Sequence, residues 1–385
     1  MRKRIIWIFV IYILLTPFWL WLAWLYKPIK PLNIAIIDKT VLTKKVREHI
    51  SFDWLLTNMR ITKKDSSFYD PNIDYLGIFP ERIDEFDINK NKYQIKGLEQ
   101  YSYQQIDSIA EQLDMAYFTD TYGLYYNEWQ DKNILEHSNL IYGGMSPADI
   151  HLLSALKSKK KLIITEFNDI ATPTTKNIRD QFAILFGIEW TGWAGRYFDV
   201  LDTNINKELP YWLKNGYVKQ HTNRWPFKRA GIAFVHENGQ IEIVENETHL
   251  DYEYPQIKSN ESTVKRFGVK GDMDYPYWFD IVHTSQDNQI LSWYEINSNA
   301  KGDSILQRNG IPKRFPAAIE RTSDCKFYYF CGDFADNPVT QWLSRLRYID
   351  KIKYFFTVRI SGTDEGPFFW KYFVPMVSTI LHENF

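Results

Sequence analysis

The chain opens on its longest apolar run, and beyond it the apolar positions fall into two recurring rhythms. From Ile5 to Tyr26 there are 22 residues without a charge, and as a helix they span roughly 33 Å, enough to cross the hydrocarbon core of a bilayer. Trp19, Trp21, Trp24 and Tyr26 crowd the far end, where amphipathic rings favour the membrane interface. Pro17 is tolerated in a membrane helix at the cost of a kink. The run ends in Ala-Trp-Leu-Tyr-Lys-Pro rather than in the small residues of a cleavage site, so an uncleaved anchor is expected instead of a signal peptide. Arg2, Lys3 and Arg4 precede it, while Lys27, Lys30, Lys39, Lys44 and Lys45 follow, so the flanking charges do not set the orientation. Long bodies translocate largely regardless of charge, and a single-pass protein with its body outside the cytoplasm is expected.

From Asn33 onward, short apolar runs alternate with amphipathic ones, the pattern of parallel βα units. Ile34 to Ile37 reads as a buried first strand. Thr43 to Asn58 follows as a helix with Val46, Ile50, Trp54 and Leu55 on one face. Further strands are expected at Tyr75–Phe79, Met115–Thr119, Leu140–Tyr142 and Leu162–Thr165. Helices are expected at Ser102–Leu113, at Pro147–Lys157 behind the N-cap Ser146, and at Thr174–Phe186, closed by Gly187. Past Trp190 the rhythm turns to strands, with a hairpin from Gly231 to Val244 turning at Glu237-Asn-Gly-Gln240. Further β segments begin near Ile281 and Ile290. A late strand runs through Lys326-Phe-Tyr-Tyr-Phe-Cys331, and Gly366 to Leu381 is an aromatic helix interrupted by Pro375. The fold class is therefore α/β: a doubly wound, mostly parallel sheet with a β-rich insertion, behind one N-terminal transmembrane helix.

Composition removes several functions. Net charge is -1 with 24% charged residues, and without a basic excess nucleic acid is not an expected partner. On a strand, Cys325 and Cys331 share a face but stand roughly 20 Å apart, which forbids a disulfide between them. No Cys or His pair has zinc-ligand spacing, so no metal and no cofactor are expected. Aromatics reach 17%, with 14 Trp and 25 Tyr. They serve either a large core or a surface that stacks on sugars and peptides.

In open parallel sheets ligands bind beyond the carboxyl ends of the strands. The residues there are Asp38, Lys39 and Thr40; Asp120, Thr121 and Tyr122; Gly143, Gly144 and Ser146; Glu166, Asn168 and Asp169; and Asp333 with Asp336. Asp38, Asp120 and Ser146 are equally suited to capping the turns that follow. Gly143-Gly144 lacks the spacing of a phosphate-binding loop. The concentration of carboxylates nevertheless marks a binding pocket, with Trp193 as an aromatic contributor.

The run from Asn139 to Asp199 reads strand, Gly-Gly turn, helix, strand, sharp turn, helix and then Gly187-Ile-Glu-Trp190. With the later Phe315-Pro-Ala-Ala-Ile319 and Tyr328-Tyr-Phe-Cys-Gly-Asp333, this order resembles the class I glutamine amidotransferase-like superfamily. It is most similar to the branch of trehalose-utilisation-type proteins. With the apolar run as an anchor over 1–30, the resemblance implies an amidotransferase-like domain over 31–350 with a β-rich insertion at about 205–275, and the aromatic pattern of 351–385 reads as a helical segment packed on that domain. Members that hydrolyse glutamine carry a cysteine on a strand-to-helix turn. Here that turn is Thr165-Glu-Phe-Asn-Asp169, neither cysteine is near it, and no G-x-S-x-G elbow replaces it.

Three functions fit. The first is a non-catalytic binding or scaffold protein for an envelope glycan or peptide, drawing on Trp190, Trp193, Tyr197, Trp278 and Trp293. The second is a hydrolase with Glu166 and Asp333 as paired acids, and His49 or His283 as partner. The third is a subunit docked to a membrane-protein partner through Phe368–Val374.

Overall fold

Stretches in which apolar residues run without alternation form the middle of a large sheet. The computed structural model describes residues 15–41, 48–80, 93–125, 139–206, 209–221, 223–337 and 339–385. Ile34–Asp38, Met115–Asp120 and Leu162–Glu166 are buried at every residue, and Lys326–Phe330 at all but its first. Strands buried on both faces suit parallel pairing between helix layers. These four lie side by side in parallel, joined by Leu76–Pro80. Antiparallel strands extend both edges: Tyr93–Lys96 on one side, and Arg314–Arg321, Gln289–Glu295, Gln256–Ser259 and Asp272–Asp274 on the other. The sheet is thus mixed, with a parallel centre, rather than mostly parallel throughout.

The helices form where their ends are written in the sequence. Ser102 and Ser146 each close a capping box, onto Tyr103–Gln112 and Pro147–Ser158. Gly187, at φ 67°, ends Lys176–Phe186 in the left-handed region. Ile50–Met59 packs instead with the C-terminal helix, Val374–Asn384.

Three expectations need correction. Leu140–Tyr142 pairs with Leu124–Tyr125 in a small separate sheet and not with the parallel strands, so Gly143 and Gly144 do not end a strand of the main sheet. The β-rich region is no bounded insertion at 205–275. Its antiparallel sheet runs Ile241–Glu245, Gly231–His236, Ile188–Phe198, Trp278–Thr284, beginning before 205 and ending after 275. Within that span, Gln256–Ser259 and Asp272–Asp274 belong to the large sheet. Phe368, Phe369, Trp370, Tyr372 and Phe373 are buried against the body, which leaves Phe368–Val374 no surface with which to dock a partner.

That last segment shows how the chain accommodates proline. Pro375 has no N–H to give the Lys371 carbonyl, and the N–H of Lys270 takes that carbonyl at 2.9 Å. A π turn at Phe369–Phe373 precedes the proline, between Gly366–Phe368 and Val374–Asn384.

Ile5–Leu14, the first part of the expected anchor, lies outside the described residues. Its continuation, Thr16–Leu25, is helical. Among the described residues no helix is long and apolar enough to cross a membrane. The end of the run is fastened to the body. Trp24 is buried, its indole N–H donates to the Thr57 carbonyl at 3.1 Å, and Arg60 stacks over its ring.

Trp54 joins two helices of the C-terminal layer. It is fully buried, edge-on to Phe369 and Trp370 at 5.6 and 5.0 Å, and its indole donates to the Thr340 carbonyl. Trp54→Ala is expected to cost about 3–5 kcal/mol, the usual range for emptying such a site. Denaturant unfolding of the full chain in detergent, against wild type, checks this; a loss under about 1 kcal/mol contradicts it.

Candidate functional site

Register brings the acids together. Ile34–Asp38 and Met115–Asp120 are paired so that Asp38 lies beside Asp120, while Phe330 lies beside Glu166. The carboxyl ends of the parallel strands are therefore level, and the loop after Phe330 carries Asp333 and Asp336 to the same edge.

Glu166 fixes that loop. Its carboxylate accepts the N–H groups of Phe334 and Ala335, each at 2.9 Å, and the Tyr117 hydroxyl on its other oxygen. Ser51 donates to the Ala335 carbonyl at 2.5 Å, and Asn337 to the Phe334 carbonyl at 2.6 Å. Gly332 permits the approach, since a Cβ there would sit 2.3 Å from the Tyr294 hydroxyl and 2.5 Å from that of Tyr275. Burial pushes Glu166 up to about 8, against the pull of its three donors. Both Glu166 oxygens are thus engaged within the fold.

Asp38 and Asp120 form the floor. One Asp38 oxygen meets His49 Nδ1 at 2.6 Å and the Glu48 N–H at 3.1 Å; the other accepts the Thr40 N–H at 3.0 Å. His49 turns its Nε2 to the Pro71 carbonyl at 3.0 Å. Burial depresses that imidazole, yet the bond and charge of Asp38 prevail and raise it. Asp120 accepts the Thr40 hydroxyl and the Tyr122 N–H, each at 2.5 Å, and the Asn168 amide at 3.2 Å. Asn168 reaches it from a left-handed turn at φ 70°.

Glu48, Asp333 and Asp336 stand closest, with one oxygen from each within 4.8 Å of the others. Burial, and then the neighbouring carboxylates, raise all three, Asp336 to about 6; the same causes take Asp120 to about 7. Arg196 opposes this at Asp333 and Asp336. Its guanidinium lies 5.7 Å over the Trp278 ring, which stacks on Phe167 at 6.4 Å. Trp278 is half-buried, so an aromatic wall borders the acids.

The other expected site residues have different duties. Asp169 is fully buried, accepts the Glu166 N–H at 3.0 Å, and shapes the turn. Tyr122 contributes its N–H and leans on Tyr125. Gly144 gives its carbonyl to Lys39, whose ammonium is held by Glu99 and Asp149 at 2.7 Å each, a separate buried pairing. Trp193 is buried on the second sheet, edge-on to His236, and presents no ligand-facing surface. His283 is exposed on the strand Trp278–Thr284, opposite Glu189, and partners none of the acids. Burial raises both thiols, Cys325 to about 12, so neither cysteine is a ready nucleophile.

Sequence reasoning missed Glu48 and Arg196. Arg196 had a signal, a lone cation inside the aromatic strand Ile188–Phe198. Glu48 had none, ten residues beyond Asp38 in a charged stretch. A groove of about 500 Å³ lies elsewhere, lined by Lys176, Arg179, Asp180, Glu189, Trp190 and Glu237. Both its cations are matched, as Lys176–Asp180 and Arg179–Glu237 pairs. The carboxylate crevice, where like charges face one another, is the stronger candidate site.

No protein-family model matches the chain, and no curated protein matches it. Solved structures similar to it include a ThuA-like protein from Parabacteroides merdae, at 8% identity and a TM-score of 0.34 over 78% of this chain and 79% of that one. A ThuA-like protein from Bacteroides uniformis overlaps at 9% identity and TM-score 0.36, over 82% and 89%. The protein SMU.1228c overlaps at 9% and 0.37, over 92% and 99%. Overlaps this loose carry no functional assignment. The class of protein described by fold and site is an α/β protein with a mixed central sheet and a cluster of acids at its parallel carboxyl edge.

Behind the crevice, Asp280 receives the Tyr329 hydroxyl, and burial raises its carboxyl from 3.8 to about 7. The folded chain therefore holds this proton more tightly than the unfolded chain, and stability from this group falls as pH rises from about 4 to about 7. Asp280→Asn is expected to flatten that part of the stability profile while retaining the acceptor for Tyr329. Unfolding midpoints across pH 4–8 check it; parallel profiles for variant and wild type contradict it.

Proposed function

We propose that this chain is a membrane-tethered α/β protein with its body outside the cytoplasm, binding a hydroxyl-rich envelope ligand, a glycan, in the acidic crevice. The observation that carries this reading is the half-buried pair Asp333 and Asp336 beside Arg196, whose guanidinium lies over the half-buried Trp278 ring. Carboxylates accept hydrogen bonds from sugar hydroxyls, Arg196 and Asn168 donate, and an indole face suits the apolar side of a sugar ring. The amidotransferase-like resemblance adds an expectation about strand and turn order, and nothing about the ligand.

Binding is favoured over hydrolysis because both Glu166 oxygens are engaged, by the loop N–H groups and by Tyr117, which keeps it from pairing with Asp333.

The tether reading draws on the apolar run Ile5–Tyr26 and on a neighbouring apolar surface. The Arg347 N–H donates to the Leu20 carbonyl at 3.1 Å, which sets Thr16–Leu25 beside the segment leading to the helix Ile349–Phe356. Phe18, Trp19 and Trp21 on the first helix are exposed, as are Phe355, Phe356, Val358 and Ile360. Such a cluster fits a bilayer interface. The chain is expected to stay with membranes through an alkaline carbonate wash; release into the supernatant rejects the tether.

For the ligand, the full chain in nanodiscs is titrated against a panel of envelope polysaccharide fragments. Binding is expected, weakened at least tenfold by Trp278→Ala and by Asp333→Asn. Flat titrations across the panel reject the glycan reading.

A further inference from the structure

We infer that Glu48, Asp333 and Asp336 form a binding site for a hard divalent cation of calcium size. The argument starts from an orphaned atom. Glu48 is 8% exposed, and its Oε2 has no hydrogen-bond partner. A buried carboxylate oxygen left without a donor loses its hydration with nothing in return, which is costly unless the group takes a proton or meets a cation. The same side chain contributes an oxygen to the group in which each of three residues has one atom within 4.8 Å of the others. The carboxylate that carries the orphaned oxygen is therefore a member of the cluster.

Charge balance points the same way. Asp38 and Asp120 act on Glu48 electrostatically, along with Asp333 and Asp336. Asp38 has His49, and Asp120 has its three donors. Arg196 is the cation that acts on Asp333 and Asp336. Among the described residues one guanidinium faces three carboxylates, and a divalent ion would supply the missing charge.

Ligand type and spacing select the ion. All three donors are carboxylate oxygens, the ligands of hard cations, with no imidazole or thiolate to favour zinc or copper. Oxygens bound to Ca²⁺ at 2.3–2.6 Å lie up to about 5 Å apart, whereas those around Mg²⁺ at 2.0–2.1 Å reach only about 4.2 Å. Three carboxylate oxygens within 4.8 Å of one another can share one such ion, and the irregular geometry Ca²⁺ tolerates suits ligands from two separate segments better than the near-ideal octahedron Mg²⁺ demands. Glu48 comes from the chain entering Ile50–Met59, and the aspartates from the loop held by Glu166. The ion would therefore bridge two separately anchored segments.

The test uses the full chain in nanodiscs with the metal alone. Because no organic ligand is present, this inference and the glycan reading fail separately. Calorimetric titration with Ca²⁺ is expected to show one saturable site, and Ca²⁺ to raise the unfolding midpoint. Glu48→Gln and Asp336→Asn are each expected to weaken binding at least tenfold and abolish the midpoint shift. Both variants relieve repulsion, so without metal they are expected to melt no lower than wild type. If one variant does not fold, the other decides. Absence of Ca²⁺ binding to wild type at millimolar concentration overturns the inference, as does wild-type affinity in a folded variant.

Discussion

The crevice depends on one buried carboxylate. Glu166 ends a central strand and faces the loop after the neighbouring strand. Its three hydrogen bonds set the path of Phe334 and Ala335, and so the positions of Asp333 and Asp336. A loop crossing the edge of a parallel sheet has backbone N–H groups with no strand to meet them, and an acceptor buried beneath it is the direct remedy. The remedy requires an acid in an apolar place. Burial pushes Glu166 up to about 8, yet a neutral amide would offer one acceptor where two N–H groups and a hydroxyl converge.

Once the loop is fixed, its acids meet those of the older strand ends. Asp38 and Asp120 are each satisfied locally, by His49, Thr40, Tyr122 and Asn168. Glu48, Asp333 and Asp336 face one another, and burial with mutual repulsion raises them all. The floor is thus a finished hydrogen-bonded structure, while the rim stores electrostatic cost. Stored cost of this kind persists where something outside the chain relieves it, which separates this crevice from the ion-paired groove beside Trp190.

Much of this was legible in the residues. The parallel strands announce themselves as unbroken apolar runs, and their helices by Ser102, Ser146 and Gly187 at the ends. That Asp38, Asp120, Asp333 and Asp336 share an edge follows from strand polarity alone. What stayed hidden was side-chain direction. Lys39 sits next to Asp38 in sequence, yet turns to Glu99 and Asp149. Asp169 resembles a site acid but folds under its own turn, and Trp193 spends its surface on packing. Glu48 enters the site because the chain returns to Asp38 at the start of a helix, a return that local pattern does not encode. The edge strands were misjudged for a related reason. Alternating β patterns specify a face but not a partner, so Gln256–Ser259 could as well have paired within an insertion as on the large sheet.

The two ends of the chain give the body its orientation. Trp24 and Lys27 bond to Thr57 and Asn58 at the end of the same helix that Trp54 fastens to the C-terminal layer. The apolar N-terminal run therefore leaves the body through a packed junction and not through a loose linker. Glu48 lies at the opposite end of Ile50–Met59, ten residues of helix or roughly 15 Å away. On the tether proposed above, that helix would set the acidic cluster at the end away from the N-terminal run.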